Sequence, residues 1–462
     1  MSGIILHLGL GAFHRAHQAA LTHAANLAAA TAWRIEPVAM RNPALADTLN
    51  AQNGRFGLII RHPDGPELQR IEALGRCWAL PREPQKIIRR FADPEVTIVT
   101  LTVTEKGYAA APDGLPLWDD ATLKHDLANP ESPTGTLGLL AAGLSARRTA
   151  GLGGLTLLSC DNLPENGRFL ARLLSAYLAS GNPELGQWVA AHCRFPSSMV
   201  DRITPAATEE TLALAHRLGG QPDPAAIETE PFCQWVIEDG FAGPRPPWEA
   251  AGVHIVPDVA PYEAAKLRML NGAHSLAAYA GALLGLEAIR DVMAHPPLAK
   301  TLRWHMLAAA ESLEPPAGFD LGQYTTELLT RFANPAIRHL CMQIAMDGSQ
   351  KMPQRIFDTA CACSANGLDL QSCALATAIW LRFLDGHSEE GTLLPLDDPL
   401  SGALREAVAG AGGDAAMLVA SIGNLLGGST ANLWRIPGWQ ESVSATLERI
   451  RHEGLSRVLE HP

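Results

Sequence analysis

Lys266, Asn271 and His274, spaced K-x4-N-x2-H, are the residues of this sequence best suited by type and spacing to do chemistry. They lie in YEAAKLRMLNGAHS, residues 262–275, which reads as a helix with Pro261 in its first turn. At roughly 100° per residue, Glu263, Lys266, Asn271 and His274 fall within a face about 140° wide. The interleaved apolar residues Leu267, Leu270, Ala273, Leu276 and Ala277 make the helix half-buried, so a lysine on its inner side loses water. Desolvation lowers an amine's pKa, which is what a lysine needs to accept a proton near neutral pH. The Asn271 amide can donate to an oxygen that turns negative during reaction, and His274 can bond a neighbouring hydroxyl. Taken singly, each also has a plain reading: a solvated lysine, a helix irregularity beside Gly272, a structural core histidine.

The elements that position such a set begin at the N-terminus. Residues 4–8 are a short apolar run, followed by Gly9-Leu10-Gly11-Ala12-Phe13-His14 and an alanine-rich helix to about residue 30. Strand, glycine turn and helix in that order start a dinucleotide-binding unit, in which the turn brings backbone close to a pyrophosphate at the helix N-terminus. The third glycine of GxGxxG falls at His14, so the motif is incomplete. Residues 34–40 read as the second strand, and Arg41 stands just past it, where an NAD site usually has an acid. Arg41 can meet a 2′-phosphate or adenine, or remain a solvated loop arginine.

Residues 96–103, VTIVTLTV, have the continuous β-branched character of a buried parallel strand and run into Thr104-Glu105-Lys106-Gly107-Tyr108. Ligands bind beyond the carboxyl ends of such strands, which puts the TEKGY turn near a cofactor. Another buried strand, residues 155–160, opens into CDNLPENG, where Asn162 is a candidate second donor to an oxyanion and, on the plain reading, a helix cap. In MVDRITP, Asp201 and Arg202 either form a structural ion pair or orient substrate hydroxyls. A proline cluster at 244–247 marks a boundary, giving domains 1–247 and 248–462, the second mainly helical, with DGSQKMP, residues 347–353, as a polar loop between helices.

Composition excludes several classes. The chain has 462 residues, 47% hydrophobic and 18% charged, with a formal net charge of −12, which fits an enzyme-sized globular protein with no nucleic-acid surface. No basic leader or apolar run of about 18 residues is present, so no membrane partner and a cytoplasmic location are expected. The eight cysteines are dispersed, and the only close pair, Cys361-Ala-Cys363, lacks zinc or redox spacing. No metal is expected at the site.

Together GLGAFHRAH, TEKGY, SCDNLPENG, MVDRITP, YEAAKLRMLNGAHS and DGSQKMPQR, in this order over most of the chain, resemble the long-chain mannitol dehydrogenase family of polyol and sugar-acid dehydrogenases. The resemblance implies an α/β fold: an N-terminal Rossmann-type NAD(P)-binding domain, a mainly α-helical C-terminal domain and an active site in the cleft between them. It implies metal-independent hydride transfer with NAD, NADP being admitted by Arg41. It makes Lys266 the general acid/base, Asn162 and Asn271 the oxyanion amides, and His274 a substrate-positioning group. It links Glu263 to a proton path and Asp201 to substrate hydroxyls. Gly9, Leu10, Gly11, Ala12, Phe13, His14, Arg41, Thr104 and Glu105 become the cofactor contacts. The substrate is then a small sugar acid or polyol. FANPAIRH, IAMDGSQKMPQR and MVDRITPAAT look closer to the branch that interconverts D-mannonate and D-fructuronate than to mannitol or arabinitol dehydrogenases. A substrate carboxylate needs a cation, for which Lys351, with Arg355 or Arg338, is available.

Overall fold

The computed structural model describes residues 2–111, 113–316 and 318–461. In chain order its strands are β1 Ile4–Leu8, β2 Arg34–Ala39, β3 Phe56–His62, β4 Gly65–Ile71, β5 Trp78–Ala79, β6 Val96–Leu101, β7 Thr156–Ser159, β8 Ser198–Asp201, β9 Ile227–Thr229, β10 Gln234–Glu238 and β11 His254–Val256. Strands β5, β2, β1, β6 and β7 form one sheet in that order, every neighbouring pair parallel. Leu8 at the end of β1 lies opposite Val38 on one side and Leu101 on the other. The connections leaving β1 and β6 diverge to opposite sides, so a crevice opens beyond the carboxyl ends of these two strands.

Successive residues of a strand face opposite sides of the sheet, and both sides here are covered. Leu6, Leu8, Val99, Leu101 and Leu157 belong to one core with Phe91, Leu140, Leu144 and Leu170 from helices. Ile5, Ile35, Ile98 and Leu158 belong to another with Ala16, Trp33, Trp235 and Trp248. Each fully buried Ile or Leu contributes roughly 1.5–3 kcal/mol, enough to fix which face of a strand is which. Two three-stranded sheets complete this unit, β11-β10-β8 and β4-β3-β9.

The chain divides into two compact units, Met1–Ala260 and Pro261–Pro462. A boundary after residue 247 cuts off β11, which pairs in parallel with β10. Among the described residues of the second unit, the regular elements are all helices, joined by loops. Gly272–Leu283 is buried at all twelve positions, and Gln371–Leu384 at nearly all, as befits helices at the centre of a bundle. The expected polar loop over DGSQKMP is instead helical, Gly348–Met352 running directly into a π-helical turn Pro353–Phe357. Pro353 lies where the α turns pass into the π turn, and its ring-fixed φ, −53°, is already helical. No described helix is long and apolar enough to cross a membrane.

Candidate active site

The glycine turn follows β1 as the sequence suggests. Gly9 has φ +109°, and a Cβ there would stand 2.0 Å from the Thr102 carbonyl oxygen, so only glycine fits. The N–H groups of Gly9 and Leu10 both donate to the Val38 carbonyl, each at 3.1 Å, which binds the turn to the end of β2. Gly11 has extended backbone and caps the helix that begins at Ala12, and a Cβ on it would meet only the Gly9 carbonyl, at 3.8 Å. The N–H groups of the helix's first turn have no carbonyl a turn earlier and point toward the crevice mouth.

Two adjoining cavities occupy that crevice. One, of about 760 Å³, is lined by Gly9, Leu10, Gly11, Met40, Arg41 and Thr104 among others. The other, of about 540 Å³, is lined by Gly11, Ala12, Phe13, Thr104, Glu105 and Asn162 among others. Both share Gly11, Thr102, Thr104 and Lys106. An open glycine backbone, a helix start and a two-part groove match the length and charge of a dinucleotide. His14 departs from its expected place. It is fully buried, lines neither cavity, and stacks on the His7 ring at 3.6 Å, so it supports the turn from beneath and does not face a ligand. A cavity of about 800 Å³ elsewhere in this unit lies among helices beside Asp126, whose carboxylate accepts from Thr134 N–H, Thr134 O–H and Gly135 N–H.

TEKGY is a single helical turn, Thr104–Gly107, rather than an open turn. Thr104 has φ +63°, an uncommon conformation for a β-branched residue. Asp161 holds it there. Its carboxylate accepts from Val103 N–H at 3.1 Å, Thr104 N–H at 2.9 Å and the Tyr108 hydroxyl at 2.8 Å. Burial raises the Asp161 pKa, and those three donors pull it back. Asp161 and Tyr108 were missed as site residues. The signal was present, since TEKGY and SCDN both end strands that prove to be neighbours, β6 and β7. Asn166 ties the same loop to β8, donating to the Asp161 and Ser198 carbonyls and accepting from Ser198 N–H. Asp201, at the end of β8, is 4% exposed. Arg202 turns its guanidinium to the carbonyls of Ala16 and Glu230.

In the second unit, the helix carrying Lys266 is not a regular α-helix. Ala260–Ala265 is α-helical, Lys266–Asn271 is π-helical and Gly272–Leu283 is α-helical again. Five α-helical steps leave two residues about 140° apart, whereas i→i+5 bonding makes residues five apart near neighbours. Lys266 and Asn271, the two ends of the π segment, are therefore drawn onto a narrower face than an α-helix allows. Glu263, Lys266 and Asn271 are half-buried and Met269 and Leu270 are buried.

His274 is buried, its ring parallel to Phe332 at 4.2 Å and edge-on to His339 at 5.0 Å. Burial, then His339, Arg331 and Arg355, hold its pKa well below the usual 6.5, so its imidazole is neutral and can either give or take a hydrogen bond. Burial likewise takes His339 down to about 4.

The three candidate cations differ. Lys351 donates to the Met346 carbonyl at 2.6 Å and the Ile344 carbonyl at 3.3 Å, with Asp347 at 3.7 Å. Burial, then Arg355, lower its pKa. Arg338 is an exposed partner of Glu287. Arg355 donates to the Ser275 hydroxyl at 3.2 Å and, at 3.5 Å, toward the Asn271 carbonyl. Among the described residues no carboxylate pairs with Arg355, although burial lowers its pKa.

Among the described residues, no group of three His, Cys, Asp or Glu side chains could hold a metal ion. Comparison with known proteins gives a consistent result. The model of the mannitol dehydrogenase Rossmann domain matches residues 3–250, and that of the mannitol dehydrogenase C-terminal domain matches residues 258–428. D-mannonate oxidoreductase of Escherichia coli is 41% identical over 403 residues, covering 86% of this chain and 83% of that protein. A second Escherichia coli protein, the uncharacterized oxidoreductase YeiQ, is 41% identical over 409 residues, covering 88% and 84%. Mannitol 2-dehydrogenase of Pseudomonas fluorescens, solved as a ternary complex with NAD and D-mannitol, superposes with a TM-score of 0.83 at 34% identity, covering 100% of this chain and 94% of that one.

Proposed function

The chain belongs to the mannitol dehydrogenase family, and from that premise we propose that it is an NAD-dependent oxidoreductase that interconverts D-fructuronate and D-mannonate. The observation that carries the choice of a sugar acid is Arg355. A largely desolvated guanidinium with no carboxylate partner is costly alone and is relieved by an anion. From the turn Pro353–Phe357 it reaches the Ser275 hydroxyl and the Asn271 carbonyl, on the helix that also carries His274, and so stands beside the groups that would hold the substrate. Lys351, expected in that role from sequence, has its ammonium directed at backbone carbonyls and supports the field without being the main receptor. The 41% identity to D-mannonate oxidoreductase supports the same branch.

Bound NAD(H) supplies the hydride acceptor or donor at its nicotinamide ring. The backbone at Gly9, Leu10, Gly11, Ala12 and Phe13 would hold its pyrophosphate, with Arg41, Thr104 and Glu105 as its further contacts. When the alcohol is oxidised, neutral Lys266 takes the hydroxyl proton as hydride leaves the carbon. Asn162 and Asn271 donate N–H bonds to the oxygen while it is negative, each worth on the order of 3 kcal/mol at the transition state. In reduction, protonated Lys266 polarises the ketone and returns the proton. Neutral His274, clamped against Phe332, orients a neighbouring hydroxyl. Glu263 passes the proton toward solvent, and Asp201 binds a further hydroxyl. Mannitol 2-dehydrogenase or arabinitol dehydrogenase activity is the second reading, favoured by the likeness to the Pseudomonas fluorescens enzyme.

Arg355→Met tests the carboxylate reading. It should lower kcat/KM for D-fructuronate roughly 10- to 100-fold more than for D-fructose, the scale of a charge-assisted hydrogen bond. Equal losses on both ketoses would reduce Arg355 to a strut for Asn271.

A further inference from the structure

A line of buried polar side chains runs beneath the glycine turn, in strand positions that a parallel sheet ordinarily fills with Val, Ile or Leu. His7 in β1, Thr100 in β6 and Gln18 in the first helix are all 0% exposed. The His7 Nδ1 lies 2.8 Å from the Thr100 hydroxyl, and its Nε2 lies 3.2 Å from the Gly9 carbonyl and 3.0 Å from the Thr102 hydroxyl. A carbonyl only accepts, so the ring carries its proton on Nε2 and receives the Thr100 hydroxyl proton on Nδ1. Thr100 in turn accepts from the Gln18 amide N–H at 3.0 Å. The Thr102 hydroxyl also donates to the Gly9 carbonyl, at 2.9 Å.

The Gly9–Leu10 peptide is therefore held at both ends. Its carbonyl takes two hydrogen bonds, from His7 and Thr102, and its N–H goes to Val38. With that plane fixed, the Gly11 backbone and the helix start are set toward the crevice before any ligand arrives. His14 closes the arrangement by stacking on the free face of His7, with an interplanar angle of 11°. The position of the missing third glycine is thus used to brace the turn from behind.

We propose that His7, acting through Thr102 and the Gly9 carbonyl, is a positioning residue for nucleotide binding: it fixes the Gly9–Leu10 peptide plane and so preorganises the pyrophosphate cradle. The proposal rests on the reading of this turn as the nucleotide site. Preorganisation is expected in affinity for the nucleotide more than in the chemical step.

The test is NADH titration by quenching of protein fluorescence, with kcat measured on D-fructuronate at saturating NADH. His7→Phe keeps a ring for His14 to stack on and removes both nitrogens. Its Kd for NADH should rise about tenfold, the loss of one to two buried hydrogen bonds, and kcat should fall by a smaller factor. His7→Gln, which retains a donor and an acceptor, should recover most of the affinity. Wild-type NADH affinity in His7→Phe, or a fall in kcat with Kd unchanged, would overturn the proposal. If His7→Phe does not fold, Thr102→Val against Thr102→Ser decides. Valine weakening NADH while serine does not supports it, and equal affinity in both refutes it. Failure of the wild-type protein to bind either NADH or NADPH would instead sink the nucleotide reading itself.

Discussion

The cradle of the first unit and the lysine helix of the second are built on opposite principles. Around Gly9 the proposed working groups are backbone, and buried side chains such as His7 and Asp161 hydrogen-bond to that backbone. Around Lys266 the proposed working groups are side chains, and it is the backbone that is deformed, into a π-helical turn, to bring them together. A backbone site tolerates change in most side chains near it and fails when a peptide plane moves. A side-chain site fails residue by residue. Substitutions should therefore separate the two, affinity for nucleotide on one side and turnover on the other.

The largest separation is expected from Lys266→Ala. Turnover should fall by at least ~100-fold, the scale of general acid/base catalysis, while NADH affinity stays within about threefold of wild type, because the cradle's cavities are lined by first-unit residues. Near-normal turnover across the pH range would remove Lys266 from its role. Asn271→Ala should cost about 100-fold in kcat, the loss of one oxyanion donor, again with little change in NADH titration. A large KM effect with kcat intact would make Asn271 a binding group only.

A pH effect crosses the boundary between the two regions. Burial holds His7 at about 3 and His305 at about 4, and takes His14 and His274 well below 6.5. The unfolded chain takes up these protons below about pH 6.5 while the folded chain does not, so the stability they contribute is complete above that pH and is lost as pH falls toward 4. For His7 and His305 the loss by pH 5 is on the order of 2 kcal/mol each. Thermal or urea unfolding followed from pH 7 to pH 5 should show steadily falling stability, with both units affected. A flat profile would mean that the folded protein binds those protons.

The smallest effect sharpens the cradle's specificity. Arg41, exposed at the rim of the larger cavity, stands where an acid would repel a 2′-phosphate. NADP should bind within ~1,000-fold of NAD, and Arg41→Ala should weaken NADP about tenfold and NAD less. Titration of both nucleotides against both proteins decides, and a wider preference for NAD in the wild type would show that Arg41 turns to solvent.

The two regions were also unequally legible in the sequence. The run of β-branched residues in VTIVTLTV and the Gly-Leu-Gly after an apolar pentapeptide announce strands and a turn, because strand burial and positive φ each demand particular residue types. The π segment at 266–271 has no such signature. A π-turn is recognised by its hydrogen bonds, and KLRMLN is as good an α-helix sequence as its neighbours, so the spacing was read with the wrong period. DGSQKMP misled for a related reason: a proline after a run of polar residues looks like a break, yet Pro353, with φ −53°, continues the helix. Long-range pairings were invisible altogether. That Asp161 holds Thr104, that Lys351 is engaged by carbonyls while Arg355 has no acid partner among the described residues, and that His14 lies under the turn depend on packing of distant segments. Local pattern carries no information about those.

What the protein reduces decides most directly between a sugar acid and a neutral ketose. Initial rates of NADH oxidation by the purified protein, measured with D-fructuronate and with D-fructose under the same conditions, should give a kcat/KM for D-fructuronate at least ~10-fold higher, as a charge-assisted hydrogen bond to the substrate carboxylate requires. Ready reduction of D-fructose with D-fructuronate left untouched would contradict it.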